Sequence, residues 1–296
     1  MSVKNVAIIG ASGNLGSPVT KALLKHGFNV TAISRPESTS TFPEGVSVKK
    51  VDLSSEAALT DAFKGQDAVI SLIATREISK QNVIADAAAA AGVKRYIPSE
   101  FGVNSGQVAG THLQAAVGSK AEHITYITAL AQKTPGFTWT GVTCGSFFDW
   151  CWKIKLFGFD TEAKSAAIID SGNERFAAST LADVGEGVAG ILSHLSETAN
   201  KYVAIQTFET SQNEILAALE KITGDKYSIL NVKASDVIKK GDERLAQNDF
   251  FGAFVDYLAH WNFADGGNHK NSADILINDV IGLKQSSVED VLKTLV

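Results

Sequence analysis

Three glycines stand at equal spacing in Gly10-Ala11-Ser12-Gly13-Asn14-Leu15-Gly16. The chemistry open to such a turn is phosphate binding. Gly10 lets the chain turn out of a strand, Gly13 lets the backbone approach a diphosphate, and Gly16 lets a helix pack back on the strand. The flanks supply the context that the spacing needs. Val6-Ala7-Ile8-Ile9 is a short apolar run, and Val19, Ala22, Leu23 and Leu24 recur at helical spacing before the stop at Gly27. Residues 28–33 read as a second strand, closing a βαβ unit of about thirty residues. A helix that starts at this turn offers free N–H groups and its positive dipole end to phosphate oxygens. Gly10, Ser12, Gly13, Asn14, Leu15 and Gly16 are therefore the candidate ligands of a dinucleotide. Arg35 follows the second strand, in Ser34-Arg35-Pro36-Glu37. A carboxylate there would take a ribose 2′-OH, whereas a guanidinium accommodates a 2′-phosphate. Arg35 favours NADPH over NADH; the bland alternative is a solvated loop charge.

Strand and helix patterns keep alternating behind this unit. Strands are expected over 46–51, 68–73, 94–98 and 137–142, with helices over 56–63, 78–91 and 115–132. Ser54 or Ser55 can cap the first of these helices, and Gly92 ends the second. The pattern predicts an α/β fold, a Rossmann-type doubly wound parallel sheet. Ligands of such a sheet lie beyond the carboxyl ends of its strands. That adds Asp52-Leu53, Ala74-Thr75, Ser99 and Phe101 to the candidate site, with Glu100 between the last two read as a structural hydrogen-bond acceptor. Asp52 could accept from an adenine amino group or could cap a helix. Ala74 and Thr75 would pass the ribose and pyrophosphate, or form an ordinary loop.

The densest aromatic stretch is Phe147-Phe148-Asp149-Trp150-Cys151-Trp152. Following a strand close to the cofactor, Phe147, Phe148 and Trp150 could line an apolar pocket or pack a core. The second half is less regular. A hairpin is expected over 164–176 about Gly172-Asn173, and strands over 202–205 and 224–232. Thr180, Ser211 and Ser235 are expected to cap helices, the first two running to His194 and Ile222. Residues 250–261 form an amphipathic helix able to cover a pocket, Gly266-Gly267-Asn268 a loop, and 288–295 a last helix. The expected division is 1–152 for the dinucleotide, with about 177–208 returning to it, and 153–296 mainly for a smaller α+β substrate lobe.

Composition narrows the partners. The chain has 296 residues, 45% of them hydrophobic, and a net charge of −5 without a basic block, which argues against nucleic acid. Cys144 and Cys151 fit no common metal or disulfide spacing, and His26, His112, His123, His194, His260 and His269 show no ligand pattern, so no metal is expected. No apolar run approaches the roughly 18 residues of a membrane helix, and a strand expected to begin by Val3 leaves no room for a signal peptide. A cytoplasmic protein, monomer or homodimer, is expected. His112 and His123 flank the candidate site and are expected at the surface rather than in proton transfer.

At Arg95-Tyr96-Ile97-Pro98-Ser99-Glu100-Phe101-Gly102, taken with the glycine turn, the chain resembles the isoflavone reductase-like and NmrA-like proteins, atypical short-chain dehydrogenases, in a fungal style. The likeness continues through Thr180-Leu181-Ala182-Asp183-Val184-Gly185. The resemblance implies an NADPH-dependent reductase of an aromatic or polyketide-like small molecule. In that family a lysine replaces the Tyr-x-x-x-Lys pair of the wider superfamily. Lys120 matches it, and Ala116 stands where the tyrosine would be. Lys120 would stabilise an oxyanion or deliver a proton. The resemblance further implies Phe101 near the nicotinamide and in the substrate pocket, and Ser99 near the ribose or substrate. A non-catalytic NADP-sensing regulator, and an isomerase or cyclase on the same fold, are the alternatives.

Overall fold

The chain is described here from a computed structural model covering residues 3–267 and 269–296. The first half is built as β1 (Asn5–Ile9), α1 (Gly16–Lys25), β2 (Asn29–Ser34), β3 (Val46–Lys50), α2 (Glu56–Phe63), β4 (Ala68–Ser71), α3 (Gln81–Ala90), β5 (Arg95–Ile97), α4 (Gln114–Lys133) and β6 (Thr138–Thr143). Then follow β7 (Ser146–Phe147), α5 (Phe148–Lys153), β8 (Phe159–Asp160), β9 (Ser165–Ile169), β10 (Phe176–Ser179), α6 (Leu181–Ser193) and α7 (Leu195–Thr198). The remainder is β11 (Lys201–Ala204), β12 (Phe208–Thr210), α8 (Gln212–Thr223), β13 (Ser228–Val232), α9 (Ala234–Ala246), α10 (Phe250–Phe263), α11 (Asn278–Ile281) and α12 (Val288–Leu292).

The main sheet has seven strands in the order β3-β2-β1-β4-β5-β6-β11, every pair parallel. Strand order reverses between β1 and β4, which opens the ligand crevice of a doubly wound sheet above their carboxyl ends. Both faces of β1 are buried. Val6 and Ile8 pack with Val19, Leu23 and Val188 on one side, Ala7 and Ile9 with Leu59, Phe63 and Ile84 on the other. α1 and α6 cross closely because Gly185 has no side chain: a Cβ there would lie 2.7 Å from the Pro18 carbonyl oxygen. Beyond the sheet, β12-β10-β7 and β13-β9-β8 form two three-stranded sheets. An aromatic core built on Phe148, Phe157, Phe176 and Phe263 fills the second half.

Two polar anchors fix the elements around the site. Arg95 is buried, with no carboxylate partner among the described residues. Its guanidinium donates to the hydroxyls of Thr138 (2.9 Å), Thr140 (2.8 Å) and Thr198 (2.8 Å) and to the Leu195 carbonyl (2.7 Å), tying β5 to β6 and α7. His123 is buried rather than at the surface. Its ring meets the Tyr96 hydroxyl at 3.3 Å and the Asn82 amide oxygen at 2.7 Å, so α4 is held against β5 and α3.

Several expectations are corrected. Residues 164–176 are not a hairpin: β9 pairs with β8 and β13, whereas β10 pairs with β7 and β12. The turn at 170–175 carries the chain from one sheet to another. Ser235 does not cap α9, which starts one residue earlier; Asp170 accepts the Ala234 N–H at 2.9 Å instead. The helix expected over 78–91 opens with a 3₁₀ turn, Thr75–Lys80. The last helix stops at Leu292. Asn268, of the expected loop, lies outside the described residues. The caps at Ser55, Thr180 and Ser211 are present, the last as a full capping box with Glu214.

Replacing Arg95 with Ala strands the Leu195 carbonyl and removes four charge-assisted bonds. Urea unfolding should then show a loss of about 3 kcal/mol. Acid stability should carry the mark of His123. Burial holds its imidazole neutral down to about 4, against 6.5 when unfolded. The unfolded chain alone takes up that proton between these values, so the contribution is complete above pH 6.5 and is lost as pH falls toward about 4. His123→Gln should flatten the pH dependence of stability in that window by at most about 3 kcal/mol.

Candidate active site

The glycine turn is a close backbone packing. Gly10 has φ +82°, and a Cβ on it would lie 2.5 Å from the Leu72 carbonyl oxygen of the neighbouring strand. A Cβ on Gly16 would lie 2.0 Å from the Gly10 carbonyl oxygen. Gly13 donates its N–H to that same oxygen at 3.0 Å, which folds the loop back over the end of β1. Ser12, Gly13 and Asn14 remain exposed, and Leu15 is half-buried. α1 begins with no side-chain cap and no acid in its first turn. Ser17 donates its N–H to the Gly13 carbonyl at 3.0 Å and Pro18 has none, so the N–H of Gly16 and those of the loop before it are what an anion would meet. A diphosphate fits what these residues offer.

Arg35 follows β2 directly and stands exposed, with Nε 3.4 Å from a Glu37 carboxylate oxygen. Lys50, at the end of β3, reaches into the same loop and donates to the carbonyls of Pro36 and Ser38. Ser12 and Ser38 both donate to the Ser40 hydroxyl, at 3.0 and 3.1 Å. Lys50 escaped the sequence reading because β2–β3 pairing, not sequence spacing, brings it to Arg35. Asp52 accepts the Ser54 N–H (2.9 Å) and hydroxyl (2.7 Å), which holds its carboxyl below the usual range. It forms the turn before α2 rather than the cap, which is Ser55. Leu53 is half-buried beside it, and Ala74 and Thr75 are exposed after β4.

The end of β5 is the polar centre. Ser99 is buried and donates its hydroxyl to the Ile73 carbonyl (2.9 Å), while its N–H goes to the Gln81 side chain (2.7 Å). Both bonds tie this segment to the loop after β4. Phe101 is buried against the core below the sheet end. Gly102, at φ +107°, accepts from the N–H groups of Cys144 and Gly145, each at 3.1 Å, and from the Thr143 hydroxyl at 2.8 Å. The chain ends of β5 and β6 are thereby locked together.

Lys120 comes to this centre from α4. It is 8% exposed, and Nζ donates to the Phe101 carbonyl at 3.3 Å. Burial pulls its amine below the ordinary 10.5, opposed by Glu100 and, less, by Cys144. The Cys144 thiol is pushed up to about 12 by burial and stays neutral. Glu100 is fully buried and accepts from Ser105 (2.6 Å) and Tyr202 (2.9 Å) on one carboxylate oxygen. An ammonium here can steady a developing oxyanion or hand it a proton.

A cleft next to this centre is lined by Val103, Asn104, Thr143, Gly145, Trp261 and Asn262. The aromatic stretch contributes less than expected. Phe148 is a correction: it is 0% exposed, its ring packed on Phe157 and Phe208 at 4.8 and 5.0 Å, with no face left for a ligand. Phe147 and Trp150 are half-buried, and Trp150 meets the exposed Phe251 edge-on at 6.5 Å. Trp261 comes from α10, the amphipathic helix expected to cover a pocket. Among the described residues no three His, Cys, Asp or Glu are grouped to hold a metal, and no helix is long and apolar enough to cross a membrane.

Comparison with known proteins agrees with this architecture. A family model described as "NmrA-like family" matches residues 2–263. The oxidoreductase poxI of Penicillium oxalicum is 37% identical over 287 residues, 95% of this chain and 90% of that protein. The crystal structure of an isoflavone reductase superposes with a TM-score of 0.85 at 24% identity, covering 100% of both chains. A complex titled "AtPrR2 with NADP+ and (+)pinoresinol" superposes with a TM-score of 0.84 at 21% identity, over 100% of this chain and 99% of that one. Both solved structures share the fold. The chain belongs to the NmrA-like family and falls with its oxidoreductases.

Proposed function

We propose that this protein is an NADPH-dependent reductase of an aromatic or polyketide-like small molecule carrying an enone, quinone methide or benzylic ether. The observation that carries this reading is Lys120, a nearly buried amine whose one hydrogen bond among the described residues is to the Phe101 carbonyl beyond the end of β5. NADPH, when bound, supplies the hydride. Gly10, Ser12, Gly13, Asn14, Leu15 and Gly16 would hold its diphosphate on the uncapped start of α1. Arg35 would take the 2′-phosphate, with Lys50 beside it in the same loop. Asp52 and Leu53 would border the adenine, Ala74 and Thr75 the ribose and diphosphate, and Ser99, Phe101 and Lys120 the nicotinamide end. The half-buried Phe147 and Trp150 would border the substrate.

Lys120 acts on the substrate oxygen. Hydride addition to a conjugated carbonyl or quinone methide leaves charge on that oxygen, and the Lys120 Nζ–H neutralises it by donating a proton. Burial excludes water and strengthens that interaction. Residues 1–152 and about 177–208 would carry the cofactor and most of 153–296 the substrate. The pairing of β11 with β6, and of α6 with α1, supports that division.

NADPH oxidation should appear with some member of a panel of quinones and enones. Lys120→Met should lower kcat/KM by about 10²- to 10⁴-fold with NADPH affinity retained. The acid form of the amine is lost as pH rises, so the native enzyme should show an alkaline limb at a pH below the ordinary 10.5, absent in the variant. Full activity of Lys120→Met refutes the mechanism. Tight NADPH binding without turnover on any substrate would favour a dinucleotide-sensing protein instead. Arg35→Glu should raise KM for NADPH by about 10- to 100-fold while sparing NADH; equal effects on both would remove Arg35 from the 2′-phosphate.

A further inference from the structure

Lys120 has an acid–base problem that its own hydrogen bond does not solve. A buried ammonium without a counter-charge gives up its proton. Among the described residues Lys120 makes no ion pair within 4.0 Å, and its bond to the Phe101 carbonyl is long at 3.3 Å. An unprotonated amine would have no proton to deliver.

The residue preceding Phe101 is Glu100, and its placement is over-determined. It is 0% exposed. Its Oε2 accepts the Ser105 hydroxyl at 2.6 Å and the Tyr202 hydroxyl at 2.9 Å. Tyr202 reaches it from β11 across a gap left by Gly141, where a Cβ would lie 2.6 Å from the tyrosine ring. The other oxygen, Oε1, is buried with no hydrogen-bond partner. Two hydroxyl donors on one oxygen favour the carboxylate. The neighbouring titratable groups supply no competing charge. Cys144 at the end of β6 is held neutral by burial, as are the phenols of Tyr202 on β11 and Tyr96 on β5, and His123 on α4 itself is neutral. Burial raises the Glu100 carboxyl, and Lys120 is the strongest influence drawing it back.

We propose that Glu100 is a positioning residue whose buried carboxylate, fixed by Ser105 and Tyr202, keeps the Lys120 amine protonated. Glu100 touches neither substrate nor cofactor and acts through Lys120. The inference rests on the reading of Lys120 as proton donor, but its test does not need turnover.

The test is an NMR titration of protein labelled with [6-¹³C]lysine, the Lys120 signal assigned by its loss in Lys120→Met. In Glu100→Gln, which keeps an acceptor for Ser105 and Tyr202, the Lys120 midpoint should fall by about one pH unit or more. The alkaline limb of kcat should move down with it while KM for NADPH stays within about twofold, a split that loss of packing would not give. Tyr202→Phe removes one donor from the carboxylate and should move the midpoint the same way by less; it serves where Glu100→Gln fails to fold. An unchanged midpoint in the folded variants overturns the proposal. A moved midpoint in a protein that never oxidises NADPH upholds it and refutes the reductase reading.

Discussion

The structure depends on how closely the backbone passes itself at the first turn. The Gly10 carbonyl oxygen lies where a Cβ on Gly16 would stand, and the Leu72 carbonyl lies where a Cβ on Gly10 would stand. These contacts bring α1 down onto the end of β1 and set β1 against β4 at the reversal of strand order. Any side chain at Gly10 or Gly16 would move backbone rather than a flexible tip. The amide end of α1 and the crevice above the sheet are thus one object, and the arrangement of everything else above the sheet follows from it.

The second constraint is chemical. Strand ends are where carbonyls and N–H groups lose their ladder partners, and each must find another. After β5 these needs are met by groups from other elements: the Gln81 side chain for the Ser99 N–H, the backbone N–H groups of Cys144 and Gly145 for the Gly102 carbonyl, and the Lys120 amine for the Phe101 carbonyl. The lysine is therefore drawn into the crevice by an unpaired carbonyl as much as by any ligand. α4 delivers it there because His123, three residues on, is pinned between Tyr96 and Asn82.

The Rossmann half was legible because each of its elements declares itself locally. β1 and β4 carry short apolar runs, residues 6–9 and 68–70, α2 has its serine cap, and Gly27, Gly65 and Gly92 close the units at positive φ. In the second half the helices and the strands β11 and β13 were legible, but the pairing of β9 and β10 was not. β7 and β8 have two residues each and carry no periodicity, so the partners of β9 and β10 could not be inferred, and a hairpin was the economical reading. Phe148 misled for a related reason. A ring beside a strand end reads the same in sequence whether it faces a crevice or the three-stranded sheets, and here Phe157 and Phe208 pack on it from segments that sequence does not place together. Arg35 and Lys120 were visible as residues. Lys50, Glu100 and Tyr202 take their meaning from pairing across the sheet.

Two buried cations on neighbouring segments show how a structural charge differs from a chemical one. Arg95 opens β5 and spends its guanidinium on three hydroxyls and a carbonyl, all neutral, all between 2.7 and 2.9 Å. Every direction it can donate along is nearly used, so it can only hold elements together. Lys120, beyond the other end of the same strand, has three donors when protonated and one acceptor among the described residues, at 3.3 Å. Its charge is balanced through space by a carboxylate that is itself committed elsewhere. A cation placed so is kept dry, kept charged and left with bonds to give, and that combination suits proton delivery to a ligand better than it suits a brace.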